Sequence, residues 1–99
     1  MPDEYILLFH PDFFRDMKAL DKREREAVYG QIKKVKKDPL RFKRLHGIEN
    51  CYRIRIGNLR MIYYVRGKEI WFLTVERRKL VYSMYFKRLY RIKRHLDKK

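Results

Sequence analysis

The stretch CYRIRIGNLRMIY, residues 51–63, decides the fold of this chain. Apolar and basic side chains alternate on both sides of Gly57-Asn58, and a period of two is typical of β-strands. Gly57-Asn58 itself is a two-residue hairpin signal. The stretch therefore predicts two antiparallel strands joined by a tight turn, and the alternation continues as far as Val65.

The register of this hairpin predicts a cluster of arginines. With Gly57 and Asn58 as the two loop residues, Arg55 faces Arg60, and Arg53 shares their face because side chains alternate. Like charges directly opposite each other are destabilising, so we expect removal of Arg60 to relieve repulsion. Three arginines together favour a bound phosphate, because a guanidinium grips phosphate oxygens in pairs. The alternative is the ordinary solvated face of an antiparallel sheet. The other face carries the predicted core: Tyr52, Ile54, Ile56, Leu59, Met61 and Tyr63.

Two helices are predicted before the hairpin. An apolar strand at residues 5–9 is followed by His10-Pro11, and proline is favoured at the first position of a helix. Asp21 followed by Glu24 is a capping box that opens a second helix, which ends at Asp38-Pro39. The apolar spacing is helical in both segments: Phe13, Met17 and Leu20 in the first, Val28, Ile32 and Val35 in the second.

The chain after the hairpin predicts one more strand and one helix. Arg66-Gly67-Lys68 marks a turn, and residues 70–75 are apolar almost throughout, which favours a strand covered on both faces. From about residue 80 to 97 the spacing is helical again, with a stripe of Val81, Tyr85, Leu89, Ile92 and Leu96 in a basic background. The order β-α-α-β-β-β-α predicts a single α+β domain over residues 1–99. A helical hairpin would cover one face of a small antiparallel sheet with a mixed edge.

Composition limits the classes of function. The chain has 99 residues, with 27 Lys and Arg against 12 Asp and Glu, a net charge of +15. The excess lies in the second half: residues 39–68 carry eight basic side chains and one acid. A polyanionic partner explains this one-sided sign, whereas a surface charge that serves only solubility does not. No apolar run approaches the roughly 20 residues that span a bilayer, and no signal-peptide stretch follows Met1.

Other candidate sites are weak. A single cysteine, Cys51, excludes an internal disulfide, fits a cytoplasmic location and is expected in the core. No glycine-rich phosphate loop and no paired metal-ligand motif is present, so we expect neither a cofactor nor a metal. Tyr82 and Tyr85 have the ring chemistry to stack on bases, but their helical spacing also suits the core, which we favour for Tyr85. Trp71 is expected in the core or at the rim of the sheet.

The motif at 51–63, with Arg44-Leu45-His46-Gly47 before it, resembles the RelE/ParE superfamily of toxin–antitoxin toxins. Arg77-Arg78-Lys79-Leu80-Val81-Tyr82 is similar to the segment that follows the last central strand in that superfamily. The resemblance implies a ribosome-dependent mRNA endoribonuclease that works without a metal by attack of a 2′-hydroxyl on its own phosphate. It implies catalytic roles for Arg55, Arg60, Arg78 and Tyr82, and RNA contacts by Arg44, Arg53, Arg77, Lys79 and Tyr85.

The chain departs from the family pattern in two ways. Some relatives have lysines where this chain has Arg53 and Arg55, and often a histidine where it has Arg77. Lysine can be tuned to act as a base, whereas arginine stays protonated. Consequently no general base is evident, and of the histidines only His46 lies near the motif.

Two other functions stay open at this point. A ParE-like gyrase poison shares the fold but binds a protein target and cleaves no RNA. A non-catalytic RNA- or ribosome-binding relic would also carry the basic face. In each case the resemblance implies a RelB-like antitoxin, acidic or amphipathic, that neutralises the basic surface, and complementary charge would speed that encounter. We expect no membrane partner.

Overall fold

A computed structural model describes residues 4–77 and 80–97, with the side chains of residues 80–84 left out of the description. Within these residues, five strands and three helices follow one another: β1 Ile6–Phe9, α1 Phe13–Lys18, α2 Lys22–Lys37, β2 Lys43–Arg44, β3 Cys51–Ile56, β4 Leu59–Arg66, β5 Glu69–Arg77 and α3 Leu80–Asp97. The sheet order is β1-β5-β4-β3-β2, in which β1 is parallel to β5 and the other neighbours are antiparallel. This confirms the predicted α+β fold with a mixed edge.

The central hairpin has the predicted register. Arg55 pairs with Arg60 and Ile56 with Leu59, so Gly57 and Asn58 form the loop. Gly57 has φ 58°, the left-handed region that glycine adopts without a steric penalty. A glycine at the first loop position matches the type II′ turn, whose twist suits that of the strands.

Helices cover both faces of the sheet. α1 and α2 pack on the predicted core face through buried residues that include Phe13, Met17, Val28 and Ile32. α3 packs on the opposite face of β4 and β5, where Tyr85, Leu89 and Ile92 contact buried side chains of the strands: Cys51, Ile62, Tyr64 and Leu73. The basic helix therefore lies on the chain's own sheet.

The start of α1 differs from the sequence prediction. Pro11 and Asp12 lie in a turn, and the helix begins at Phe13. The backbone N–H of Asp12 donates to Nδ1 of His10 at 3.1 Å, and the N–H of Phe13 donates to the His10 carbonyl at 2.8 Å. These two bonds hold residues 10–13 as a turn, so Pro11 does not open the helix. The capping box that opens α2 is confirmed, because Asp21 and Glu24 each accept the other's backbone N–H.

Strand β2 was not predicted. Its two residues are both basic and exposed, so they show no alternation that a sequence pattern could reveal. Its position depends on tertiary contacts: the Tyr63 hydroxyl donates to the Pro39 carbonyl at 2.5 Å, and the Phe42 ring packs edge-on against Tyr63. These contacts place Lys43 opposite Arg53 at the edge of β3.

A β-bulge interrupts the pairing of β4 with β5. Tyr63 pairs with Phe72, but Ile62 pairs with Thr74, so Leu73 is the extra residue. An extra residue disrupts the ladder locally and leaves backbone groups that need other partners. Both Leu73 and Thr74 are fully buried, and the partners must therefore come from the protein.

A buried ion pair supplies those partners. Arg88 of α3 donates from Nη1 to the Leu73 carbonyl at 2.8 Å and contacts Asp16 of α1 with both terminal nitrogens, at 2.6 and 3.1 Å. Asp16 Oδ2 also accepts from the Thr74 hydroxyl at 3.0 Å and from the Val75 N–H at 3.1 Å. The pair thus joins α1, β5 and α3 at the bulge.

Loss of one member of this pair should strongly destabilise the fold. Arg88 and Asp16 side chains are 6% and 4% exposed, so Arg88→Leu leaves an uncompensated buried carboxylate. We expect the free energy of unfolding to fall by about 3–5 kcal/mol in urea denaturation. The double variant Asp16→Asn/Arg88→Leu removes that charge, and the amide oxygen of the new asparagine can still accept from the Val75 N–H. This variant should therefore recover part of the lost free energy of unfolding.

Arg15→Ala is the matched control, since the pair that Arg15 of the same helix forms with Asp12, just before the helix, is 3.9 Å apart and largely exposed. It should change stability by less than about 1 kcal/mol. An equally small loss for Arg88→Leu would contradict the structural role of the pair.

Candidate nucleic-acid interface

Two rows of side chains cross the sheet on the face that α3 only partly covers. One row runs from Arg55 through Arg60 to Glu76, and the next holds Lys43, Arg53, Ile62 and Thr74. Directly opposed residues share a face in antiparallel pairs, so the five charged side chains of these rows lie together: Lys43, Arg53, Arg55, Arg60 and Glu76. We call this group the arginine face.

The geometry of the arginine face suits a phosphate. Adjacent strands are about 4.8 Å apart, so Arg55 and Arg60 start from backbone positions that one phosphate can bridge. Arg55 is exposed, whereas Arg53 and Arg60 are half-buried. Glu76 is the one acidic side chain in these two rows, so the field is positive on the side of β3. The predicted cluster of Arg53, Arg55 and Arg60 on one face is confirmed.

Three of the residues predicted to contact RNA do not lie on the arginine face: Arg44, Arg77 and Tyr85. Arg44 pairs with Tyr52 and Arg77 with Leu59, and both partners belong to the α1–α2 face. Arg77 also forms an ion pair with Glu24 of α2 at 2.8 Å.

Tyr85 is 8% exposed and packs in the core cluster under α3, as favoured from its spacing. Its ring is therefore not presented to a base. Trp71 is half-buried at the rim, where its indole N–H donates to Glu69 at 3.1 Å. Arg78 and Lys79 lie outside the described residues. Tyr82 falls in α3, but its side chain is outside the description.

Glu76 is the residue that the sequence reasoning missed. If the pairing of β4 with β5 continued from the turn at Gly67-Lys68 without a bulge, Arg60 would lie opposite Val75. Glu76 would then lie opposite Leu59, on the α1–α2 face. The extra residue Leu73 shifts the register by one, which places Glu76 opposite Arg60 and Arg77 opposite Leu59. A one-residue shift moves every later side chain to the other face.

The environment of Glu76 favours its protonated form. Burial raises the pKa of this carboxyl above its usual range, and the nearby Asp16 carboxylate, which accepts a hydrogen bond from it, raises the pKa further. Arg88 and Arg77 act in the opposite direction but do not cancel the shift. A carboxyl whose pKa is displaced by burial and a charged neighbour is a candidate for proton transfer.

Comparison with known proteins shows the family. A model of the ParE toxin of type II toxin–antitoxin systems matches residues 7–82. The chain belongs to the RelE/ParE superfamily of toxins. No curated protein matches the sequence.

Solved structures share the fold of this RelE/ParE toxin. E. coli toxin RelE, as an arginine-to-alanine double mutant in the free state, is 24% identical with a TM-score of 0.76, over 87% of this chain and 98% of that one. A chain of the RelB–RelE antitoxin–toxin complex from Methanococcus jannaschii is 31% identical with a TM-score of 0.65, over 77% and 95%. A chain of the RelBE2 complex from Mycobacterium tuberculosis is 26% identical with a TM-score of 0.66, over 77% and 100%.

The cysteine and the three histidines of this toxin are not members of the two arginine rows. Cys51 is fully buried, and burial raises the pKa of its thiol to about 12, which suits a core residue and not a nucleophile. His10 is buried, and burial with Arg88 nearby lowers its pKa. His46 lies in the exposed loop between β2 and β3, and His95 is exposed on α3.

The described part of the chain holds no metal-ligand cluster and no membrane-spanning helix. Over residues 4–77 and 80–97, no three His, Cys, Asp or Glu side chains are grouped to hold a metal ion. No helix in that same part combines the length and apolar character that crossing a bilayer requires.

Repulsion within the arginine face should lower the free energy of unfolding by a measurable amount. Arg55 has only Arg60 beside it in its row, so at low salt we expect Arg55→Gln to raise the free energy of unfolding by about 0.2–1 kcal/mol. Arg60 lies between Arg55 and Glu76, so at a pH where Glu76 is ionised Arg60→Gln also removes an attraction and should change stability less. The expectation that removal of Arg60 relieves repulsion stays a prediction, and the position of Glu76 limits its expected size.

Urea denaturation of both variants at low salt and at 1 M salt measures these effects. At 1 M salt the Debye length falls to about 3 Å, and the gain of Arg55→Gln should shrink. Equal changes for Arg55→Gln and Arg60→Gln would contradict the inferred role of Glu76 in the row.

Proposed function

We propose that this toxin is a ribosome-dependent mRNA endoribonuclease. The observation that carries the proposal is the arginine face, where Arg55 and Arg60 oppose each other with Arg53 in the next row. Such a group lowers stability unless an anion lies between its members. A phosphodiester supplies that anion, and guanidinium forks bind it in pairs.

The proposed chemistry needs no metal. Attack of a 2′-hydroxyl on its own phosphate builds negative charge on the phosphoryl oxygens, and fixed cations stabilise that charge. Arg60 and Arg55 would contact these oxygens, while Arg53 and Lys43 would bind neighbouring phosphates. Arg78 and Tyr82 enter the proposal from the family resemblance alone, as a further phosphate contact and as a ring that stacks on a base or assists proton transfer.

We also propose a RelB-like antitoxin as the partner that controls the toxin. RelB–RelE complexes are among the solved structures whose toxin chains share this fold. The net charge of +15 favours an acidic or amphipathic chain that covers the basic surface. Cytoplasmic mRNA on the ribosome is the proposed target.

A gyrase poison is the second candidate function. The family model that matches residues 7–82 is that of the ParE toxin, and a ParE-like mechanism would use the same fold to bind a protein without cutting RNA. The two functions predict different damage, because a gyrase poison leaves mRNA intact and triggers DNA-damage signalling.

A translation reaction with purified toxin tests the proposal. Primer extension should map new mRNA 5′ ends inside codons, only where ribosomes occupy the message. Arg60→Ala should reduce cleavage by at least about 100-fold, the typical effect of losing one donor to a developing oxyanion. Arg23→Ala is the matched control, since Arg23 is exposed on α2, which packs on the opposite face of the sheet.

Three outcomes would overturn parts of this proposal. Intact mRNA with gyrase-dependent DNA damage would support the gyrase poison. Salt-dependent RNA binding without products would indicate a binding module. Full cleavage by Arg60→Ala would remove the phosphate role of the opposed arginines.

A further inference from the structure

Arginines alone leave the proposed reaction without a group to take the proton. Arg53, Arg55 and Arg60 stay protonated at any ordinary pH, so they stabilise charge but do not accept a proton. Cys51 is fully buried, and His10 is 2% exposed with its Nδ1 occupied by the Asp12 N–H. In the two rows of the arginine face, the remaining titratable side chains are Lys43, an exposed side chain on the edge strand, and Glu76, the one carboxyl.

We propose that Glu76 is the general base that accepts the 2′-hydroxyl proton on the arginine face. This inference rests on the proposed nuclease function. Glu76 lies one strand, about 4.8 Å, from Arg60 and two strands from Arg55 on the same face of the sheet, so a phosphate held on the Arg60 side of the row lies within side-chain reach of this carboxyl. Glu76 is only partly buried, so RNA can reach it.

Neighbouring elements hold Glu76 in place. Asp16 of α1 lies next to it, and both Asp16 oxygens are already bound by Arg88 of α3, with Thr74 and Val75 of β5 bound to one of them. Asp16 is therefore held in place by Arg88 and β5, and Glu76, which is only partly buried, is the member of the pair that a substrate can reach. Among the described residues, the cations Arg88 and Arg77 act on Glu76 and lower its pKa, and Arg60 lies opposite it on β4.

In the proposed step, the proton of the 2′-hydroxyl moves to Glu76 as the phosphodiester bond is exchanged. The 2′-O–H bond breaks and its proton moves to a Glu76 carboxylate oxygen, while the 2′-oxygen forms a bond to phosphorus. The P–O5′ bond breaks, its electron pair stays on the 5′-oxygen, and that oxygen takes a proton from water. The products are a 2′,3′-cyclic phosphate and a 5′-hydroxyl end, and Glu76 returns its proton to solvent.

The shifted acidity of Glu76 suits this role. Burial and Asp16 raise its pKa above its usual range, and a carboxylate with a raised pKa is a stronger base. The base must be ionised to act, so the cleavage rate should rise with pH through the pKa of Glu76 and then level off. Loss of Asp16 as a neighbour would move this rise to lower pH.

The experiment compares Glu76→Gln with wild-type toxin on ribosome-bound mRNA. Single-turnover cleavage at saturating toxin should fall by about 10²- to 10⁴-fold, the usual contribution of a general base. Ribosome binding should stay within twofold, and the variant should lose the acid limb of the pH profile. Glu76→Asp keeps a carboxylate and should recover part of the rate together with an acid limb.

Glu69→Gln is the matched control, because it makes the same change at the other end of β5, where the amide oxygen can still accept from Trp71. It should cleave as the wild type does. A wild-type measurement completes the test without any variant: the carboxyl carbon of Glu76, followed by NMR, should titrate at the midpoint of the acid limb.

The outcomes separate this inference from the proposed function. Wild-type toxin that cuts no mRNA overturns both. Wild-type cleavage with Glu76→Gln equally active at saturation overturns only the role of Glu76. A Glu76 titration that does not coincide with the acid limb overturns it as well, even if the variant fails to fold.

Discussion

The ion pair between Arg88 and Asp16 is the interaction on which the site depends. It binds the backbone and side chains of the bulge in β5 at Leu73, Thr74 and Val75. A bulge leaves backbone polar groups without partners in the β-ladder. These groups are buried here, so side chains of the protein must supply the hydrogen bonds. The pair therefore stabilises the register in which Glu76, and not Val75, lies opposite Arg60.

Placement of α3 divides the second face of the sheet into two regions with different roles. Tyr85, Leu89 and Ile92 bury Ile62, Tyr64 and Leu73, which makes that region part of the core. Towards the Gly57 turn, the rows of Arg53, Arg55 and Arg60 stay partly or fully exposed. One helix thus supplies Arg88 to the bulge and, through its described side chains, covers the apolar part of the face.

The arginine face shows a conflict between stability and function. Opposed like charges destabilise a hairpin, and the carboxylate that relieves them lies on one side only. A sheet selected for stability alone would alternate charges along the row. Glu76 is held partly buried beside a fixed carboxylate, which favours its proton and disfavours a simple ion pair with Arg60. Local instability of this kind is typical of functional sites.

The sequence by itself determined the hairpin, its turn and the face shared by Arg53, Arg55 and Arg60, because these follow from alternation and from a two-residue loop. It also determined the apolar stripes of α2 and α3, which depend on local period. Only the tertiary structure decided the bulge at Leu73, since the partners of that bulge come from helices far along the chain. That single extra residue moved Glu76 onto the arginine face and Arg77 off it. The exposed strand at Lys43 was likewise decided by contacts of Tyr63 and Phe42, which no local pattern encodes.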